Sequence, residues 1–236
     1  MTRIALTALA ASAFLVASSV GQPQVAPATA TADAAVYTPP PPLPSQAERM
    51  RLRSGMAAAE SSDWSGLAQL RDGATDPLIR RMLQWRWASS TDAPLYFDDI
   101  AQALTELQGW PGRTTMRTRA EEAILSSRLS ASDRVAFLRS ENGPITGDGR
   151  MALAISLKAN GQRSEAAEIA RAAWRDDALS TEMEDRALAE FSSAFTSEDH
   201  AARVDGLLWR DQHTAARRLL PRVSTADRLL ANARIA

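Results

Sequence analysis

From Ser45 onward, apolar residues recur every three or four positions in short bursts, separated by glycine, proline or a side chain able to cap a helix. Phe97, Ile100, Leu104 and Leu107 form one such stripe, and Met116, Ala120, Ala123 and Ile124 another. Ala166, Ile169, Ala170, Ala173 and Trp174 make a third, and Ala201, Val204, Leu207 and Leu208 a fourth. Ser45 with Glu48, and Thr181 with Glu184, have the spacing of a capping box. Asp76-Pro77 offers an N-cap followed by proline at the first helical position. Breaks fall at Gly73, Pro94, Pro111-Gly112, Gly143-Pro144, Gly161 and Pro221. No run alternates with period two for long enough to make a strand. The pattern predicts an all-α fold of about eleven or twelve helices, each of two to four turns, packed as antiparallel pairs in a superhelical solenoid. "GQRSEAAEIA" (161–170) and "DQHTAARRLL" (211–220) both place a glutamine before a small-residue helix start. That echo is imperfect, so the repeats are expected to be degenerate and tetratricopeptide-like.

The segments before Ser45 follow a different pattern. "MTRIALTALAASAFLVASSV" has a positive Arg3 and an apolar run from Ile4 to Val16, too short to span ~30 Å of hydrocarbon at 1.5 Å per residue. Ser19-Val20-Gly21 supplies small residues for cleavage, with Ala28-Thr29-Ala30 as a second candidate. Residues 1–21 are therefore expected to be a signal peptide, leaving a periplasmic chain with no membrane span after signal removal. An uncleaved anchor is the alternative. Residues 22–45 are rich in Ala, Thr and Pro and end in "YTPPPPLPSQ", where proline removes backbone donors, so an extended linker is expected there. The helical domain is expected to occupy residues 46–236. "STADRLLANARIA" spaces Leu229, Leu230 and Ala233 to pack and stops mid-stripe at Ala236, so that domain is expected to be truncated at its C-terminus.

Composition narrows the chemistry. Formal charge is −1 over 236 residues, without the basic excess of a nucleic-acid coat. Cysteine is absent and histidine occurs only as His200 and His213, so no cofactor or metal site is expected. All but one of the 27 basic residues are arginine, Lys158 being the exception.

The candidate sites each have a plain structural reading. In "GWPGRTTMRTRAEEAI" (109–124), Arg113 and Arg117 could meet an anion. Arg117 and Glu121 are four apart, however, and the favoured reading is an interhelical joint with a salt-bridged outer face. Glu60-Ser61, followed by "SGLAQL", is set aside as a catalytic pair. A glycosidase acid needs an apolar cleft that keeps it protonated, and the surroundings of Glu60 are polar. Asp98-Asp99, Asp176-Asp177 and Glu198-Asp199 sit at helix starts or turns, where the helix dipole accounts for them. Six tryptophans are spread one per helix or joint, as core wedges would be. Trp85 and Trp87 are the pair expected to be exposed and able to stack on a sugar. No catalytic residue is identified.

Several stretches, in order over about 190 residues, resemble the N-terminal helical region of soluble lytic murein transglycosylases, particularly alphaproteobacterial ones. They are "DPLIRRMLQWRWA" (76–88), "GWPGRTTMRTRAEEAI" (109–124), "GPITGDGRMALA" (143–154), "GQRSEAAEIARAAWRDDALS" (161–180), "SEDHAARVDGLLWRDQHTAARRLLP" (197–221) and "ANARIA" (231–236). The resemblance implies a periplasmic superhelix whose parent enzyme cleaves the MurNAc-β-1,4-GlcNAc bond of peptidoglycan and leaves 1,6-anhydro ends. The catalytic domain would lie beyond residue 236, so this chain alone is expected to be inactive. Peptidoglycan glycan strands are the implied partner, with Trp85, Trp87, Arg113 and Arg117 as candidate contacts. The alternative is a stand-alone periplasmic helical-repeat module that binds protein partners.

Overall fold

A Ser, Thr or Asp side chain starts eight of the helices by accepting a backbone N–H of the first turn. These caps are Ser45, Asp63, Asp76, Ser130, Thr146, Ser180, Thr196 and Ser224. The computed structural model describes residues 42–94 and 96–236; the expected signal peptide and nearly all of the expected linker lie outside them. Among the described residues the protein is all-α, with no strand. The helices are α1 (Gln46–Glu60), α2 (Trp64–Asp72), α3 (Pro77–Ala88), α4 (Phe97–Glu106), α5 (Arg113–Ala123) and α6 (Ala131–Arg139). They continue with α7 (Gly147–Ala159), α8 (Arg163–Asp176), α9 (Thr181–Phe191), α10 (Ser197–Trp209), α11 (His213–Leu219) and α12 (Thr225–Ile235).

The helix starts keep a rhythm. From α4 to α11, alternate helices begin at Phe97, Ala131, Arg163 and Ser197, and at Arg113, Gly147, Thr181 and His213. Successive members of each series lie 34 or 32 residues apart, the length of a two-helix tetratricopeptide unit. Neighbours pack in pairs (α4 on α5, α6 on α7, α7 on α8, α10 on α11), and α5 with α7, α7 with α9, α8 with α10 and α10 with α12 bridge successive pairs. This is a helical-repeat arrangement. At the N-terminal end, α1, α2 and α3 form a mutually packed trio instead.

The joints explain the repeat. After α1, α7 and α10 the chain turns through one left-handed residue, Ser62, Gly161 and Asp211, with φ of 58°, 85° and 57°. The next residue in each case, Asp63, Gln162 and Gln212, donates its N–H to a carbonyl five positions back, at 2.8, 2.9 and 2.9 Å. The left-handed residue itself bonds three positions back. That pair of bonds is the Schellman motif, and here its final residue is also the N-cap position of the following helix, with a side-chain bond to that helix only from Asp63. The Gln162 and Gln212 echo is thus a shared joint geometry.

Most stripes bury as expected. Phe97, Ile100, Leu104 and Leu107 are all in the core, as are Met116, Ala120, Ile124, Ala166, Ala170, Ala173, Trp174, Val204, Leu207 and Leu208. Two local expectations are corrected. The N-cap of α9 is Ser180, so Thr181 is the first helical residue, and the full capping box is Thr196 with Asp199. In α12, Leu229 and Leu230 stand exposed at 65% and 63%; Ala231 and Ile235 make the contact with the core.

Candidate functional site

Arginine is the residue most used to tie one hairpin to the next. A helix end leaves carbonyls without intrahelical donors, and a guanidinium carries five donors on a long stem. Arg203 lies fully buried on α10 and donates to the carbonyls of Trp174 and Asp177 at the end of α8, both at 3.0 Å. It also pairs with Glu184 of α9 at 2.5 Å and lies 4.8 Å above the Trp174 ring. Burial lowers its pKa from the ordinary value, and Glu184 works against that shift. Arg119 on α5 repeats the grip on the chain leaving α3, through the carbonyls of Ser90 and Ala93. Both arginines reach back 29 and 26 residues.

Carboxylates do the complementary work at helix starts. Glu121 is wholly buried on α5 and accepts the N–H groups of Ile145 and Thr146, each at 2.9 Å, and the Thr146 hydroxyl at 2.7 Å. These groups form the N-terminus of α7, where the helix dipole favours negative charge. A Cβ on Gly149 would lie 2.1 Å from a Glu121 carboxylate oxygen, so glycine there makes room for the carboxylate. Glu48 does the same for α3, accepting from Thr75 Oγ1 and Asp76 N–H, and Asp148 accepts the N–H of Ser180 before α9.

The four candidate contacts fall into this framework. Arg117 pairs with Glu121 at 3.0 Å as its spacing implied, but the pair is inside the molecule. Arg117 is 4% exposed, donates to Ser140 Oγ and the Phe137 carbonyl at 3.1 Å, and covers the Phe137 ring at 4.4 Å. The expected outer salt bridge is therefore a buried tie between α5 and the end of α6. Trp87 is also corrected: it is 7% exposed, with the Arg71 guanidinium 5.2 Å from its ring centre. Trp85 is half-buried, tilted against Trp110 with centroids 6.4 Å apart, and donates its indole N–H to the Pro111 carbonyl at 2.8 Å. Arg113 flanks the same joint, where it donates to the Leu104 carbonyl at 2.8 Å and pairs with Glu141. Gly112, with φ of 84°, turns the chain there. The structure so brings Trp85 and Arg113 to one interhelical joint and sends Trp87 and Arg117 inward. Sequence reasoning passed over Trp209, which is 76% exposed beneath Arg234. Its position off the α10 stripe was the available signal.

A cleft of about 610 Å³ lies between α2, α3 and α4. Arg80 and Arg81 of α3 and Asp99 and Glu106 of α4 line it, with Gln84 and Trp87. Glu60 is exposed on the last turn of α1 and does not line this cleft. His200 packs edge-on to Trp174 and Phe195, at 5.5 and 5.9 Å between centroids. Among the described residues no group of three His, Asp or Glu side chains is placed to hold a metal ion. No helix among them is long and apolar enough to cross a membrane.

Comparison with protein-family models, with curated proteins and with solved structures finds no match. The resemblance to soluble lytic transglycosylases rests on the quoted stretches alone.

Proposed function

We propose that the chain is the non-catalytic helical scaffold of a periplasmic lytic transglycosylase, which holds peptidoglycan glycan strands while a catalytic domain elsewhere cleaves them. The observation that carries this reading is the use of ionisable groups. Arg117, Glu121, Glu184 and Arg203 are all consumed in tying helices together, as a scaffold requires. The hairpin spacing of 34 and 32 residues, and the resemblance of the joints to the family, support the same reading. In the superhelix we infer, Trp85 and Arg113 are the candidate glycan contacts that keep partial exposure. The test is co-sedimentation of the chain with purified sacculi. We expect sedimentation that soluble glycan strands compete away, with no muropeptide released. A chain that stays in the supernatant removes the proposal.

A second reading, a stand-alone module that binds periplasmic proteins, is favoured by one observation: Trp209, Leu229 and Leu230 are all exposed on α10 and α12. Isolated exposed apolar residues are ordinary, but several on packed neighbouring helices suit a protein partner. The reading frame beyond codon 236 separates the two. Continuation into a catalytic domain supports the scaffold, and a stop codon supports the module.

A further inference from the structure

We infer that Asn142 is a self-modifying position: in the folded chain the backbone nitrogen of Gly143 attacks its side-chain amide and deamidates it, while Asn160, in the same Asn-Gly pairing, is held back. The chain has three asparagines, and only these two precede glycine. Ring closure needs the following backbone nitrogen to swing close to the asparagine side chain, and glycine, without a Cβ, hinders that least. Asparagine is among the thermolabile residues for this reason. The step balances with water as its one co-reactant. The Gly143 nitrogen forms a bond to Asn142 Cγ and gives up its proton. The bond from Cγ to the side-chain nitrogen breaks, and ammonia leaves with that proton. Water then opens the five-membered imide at either carbonyl, giving aspartate or isoaspartate.

Access does not separate the two positions. Asn142 and Asn160 are both exposed, and a Cβ added at Gly143 or Gly161 would meet nothing within 4 Å, so either ring has room to close. The backbone separates them. Asn160 ends α7 with φ −84° and ψ 9°, a helical conformation that turns the Gly161 nitrogen away from the side chain. Swinging that nitrogen inward breaks the bonds from Gly161 N–H to Lys158 and from Gln162 N–H to Leu157, at 3.1 and 2.9 Å, which make the Schellman joint. The Asn160 side chain is also tied, donating to Gln162 Oε1 at 3.1 Å. At Asn142 less stands in the way. The Gly143 N–H bond to the Ser140 carbonyl, at 3.1 Å, has to open, but the next residue, Pro144, has no N–H to lose. The Asn142 side chain makes no hydrogen bond to another described residue. Glu141 and Asn142 have φ of 56° and 73°, so the turn starts from a sparsely populated conformation and loses little by opening. Beyond it, Glu121 holds the N–H groups of Ile145 and Thr146, so the rearrangement stops before α7. The product adds a carboxylate next to Glu141, the partner of Arg113. The chemistry needs no bound glycan and is independent of the peptidoglycan reading.

The test is ageing of the folded chain in mildly alkaline buffer, followed by tryptic mapping. Cleavage after Arg139, Arg150, Lys158 and Arg163 places the two asparagines in separate peptides, 140–150 and 159–163. The gain in mass on replacing an amide by an acid should appear in the first peptide at least about tenfold faster than in the second. An isoaspartate-specific methyltransferase should label peptide 140–150. In guanidinium chloride the two peptides should react alike, since the dipeptide is the same and the folded backbone is what distinguishes them. Three results would overturn the inference. One is equal or faster reaction of Asn160 in the folded chain. Another is no reaction of Asn142 in the folded chain while both asparagines react in denaturant. The third is an Asn142 advantage that persists in denaturant, which would assign it to neighbouring residues and not to the fold.

Discussion

Glu121 has no apolar neighbour pattern to mark it as interior, yet it is 0% exposed, and its partners explain why that is tolerable. A buried carboxylate needs opposite charge and donors, and Arg117 with the start of α7 provides both. Truncating one member leaves the other charge buried without a partner. Glu121→Ala should therefore cost about 3–5 kcal/mol, read as a lowered urea midpoint. The double variant with Arg117→Leu should recover part of that loss, because the stranded guanidinium goes too. Gly149 is bound to the same site by space. Gly149→Ala pushes a methyl group into the carboxylate, and an overpacking loss of about 1–3 kcal/mol should follow. Introducing alanine in the middle of an exposed helix would have the opposite sign, so the measured direction reports on Glu121 directly.

At the element scale, the three Schellman joints after α1, α7 and α10 have one geometry but different residues at the left-handed position. Glycine adopts that conformation freely at Gly161. Ser62 and Asp211 carry a Cβ there, at about 1–2 kcal/mol each. Asp211→Gly removes that strain but loosens the unfolded chain by about 0.4–1 kcal/mol, so a net gain of about 0.5–1 kcal/mol is expected. Thermal melts of the variant against the parent chain check this. The arginine clamps belong to the same scale: Arg119 and Arg203 reach carbonyls at identical separations, so the α3–α5 and α8–α10 segments are built alike although their side chains differ. The helix stripes were legible in the sequence because helical periodicity is a local property. The clamps were not, since each pairs groups more than twenty residues apart.

For the molecule as a whole, acid should loosen the fold in two stages. Burial holds the His200 imidazole below its ordinary value of 6.5, with the Arg222 charge adding to the effect and Asp199 opposing it. The folded chain thus keeps His200 neutral while the unfolded chain takes up a proton. Stability is full above pH 6.5 and falls as the pH drops below it, until the folded imidazole also titrates. Asp199 is also lowered, but for a different reason. Desolvation raises its pKa, but the Thr196 N–H and Arg171 outweigh that and leave it below 3.8. Its contribution is present above 3.8 and lost as the pH falls through its folded value. Urea midpoints at pH 7.5, 6 and 5 should decline in the parent chain, and His200→Leu should flatten that upper portion. Equal slopes in both would assign the decline elsewhere.

The candidate contacts mark where local reading stopped. Arg113 and Trp85 sit at the Trp110-Pro111-Gly112 joint, and that joint was visible from its breaker residues. Arg117 and Trp87 looked like surface residues because charge and adjacency say nothing about what packs over them. Helix periodicity, caps and breakers are encoded within a few residues of one another, so the chain alone determined an all-α hairpin fold and most of its core. Burial of an ionised side chain depends on a partner supplied by a different hairpin, so only the tertiary structure decided which arginines became struts and which tryptophan stayed wet.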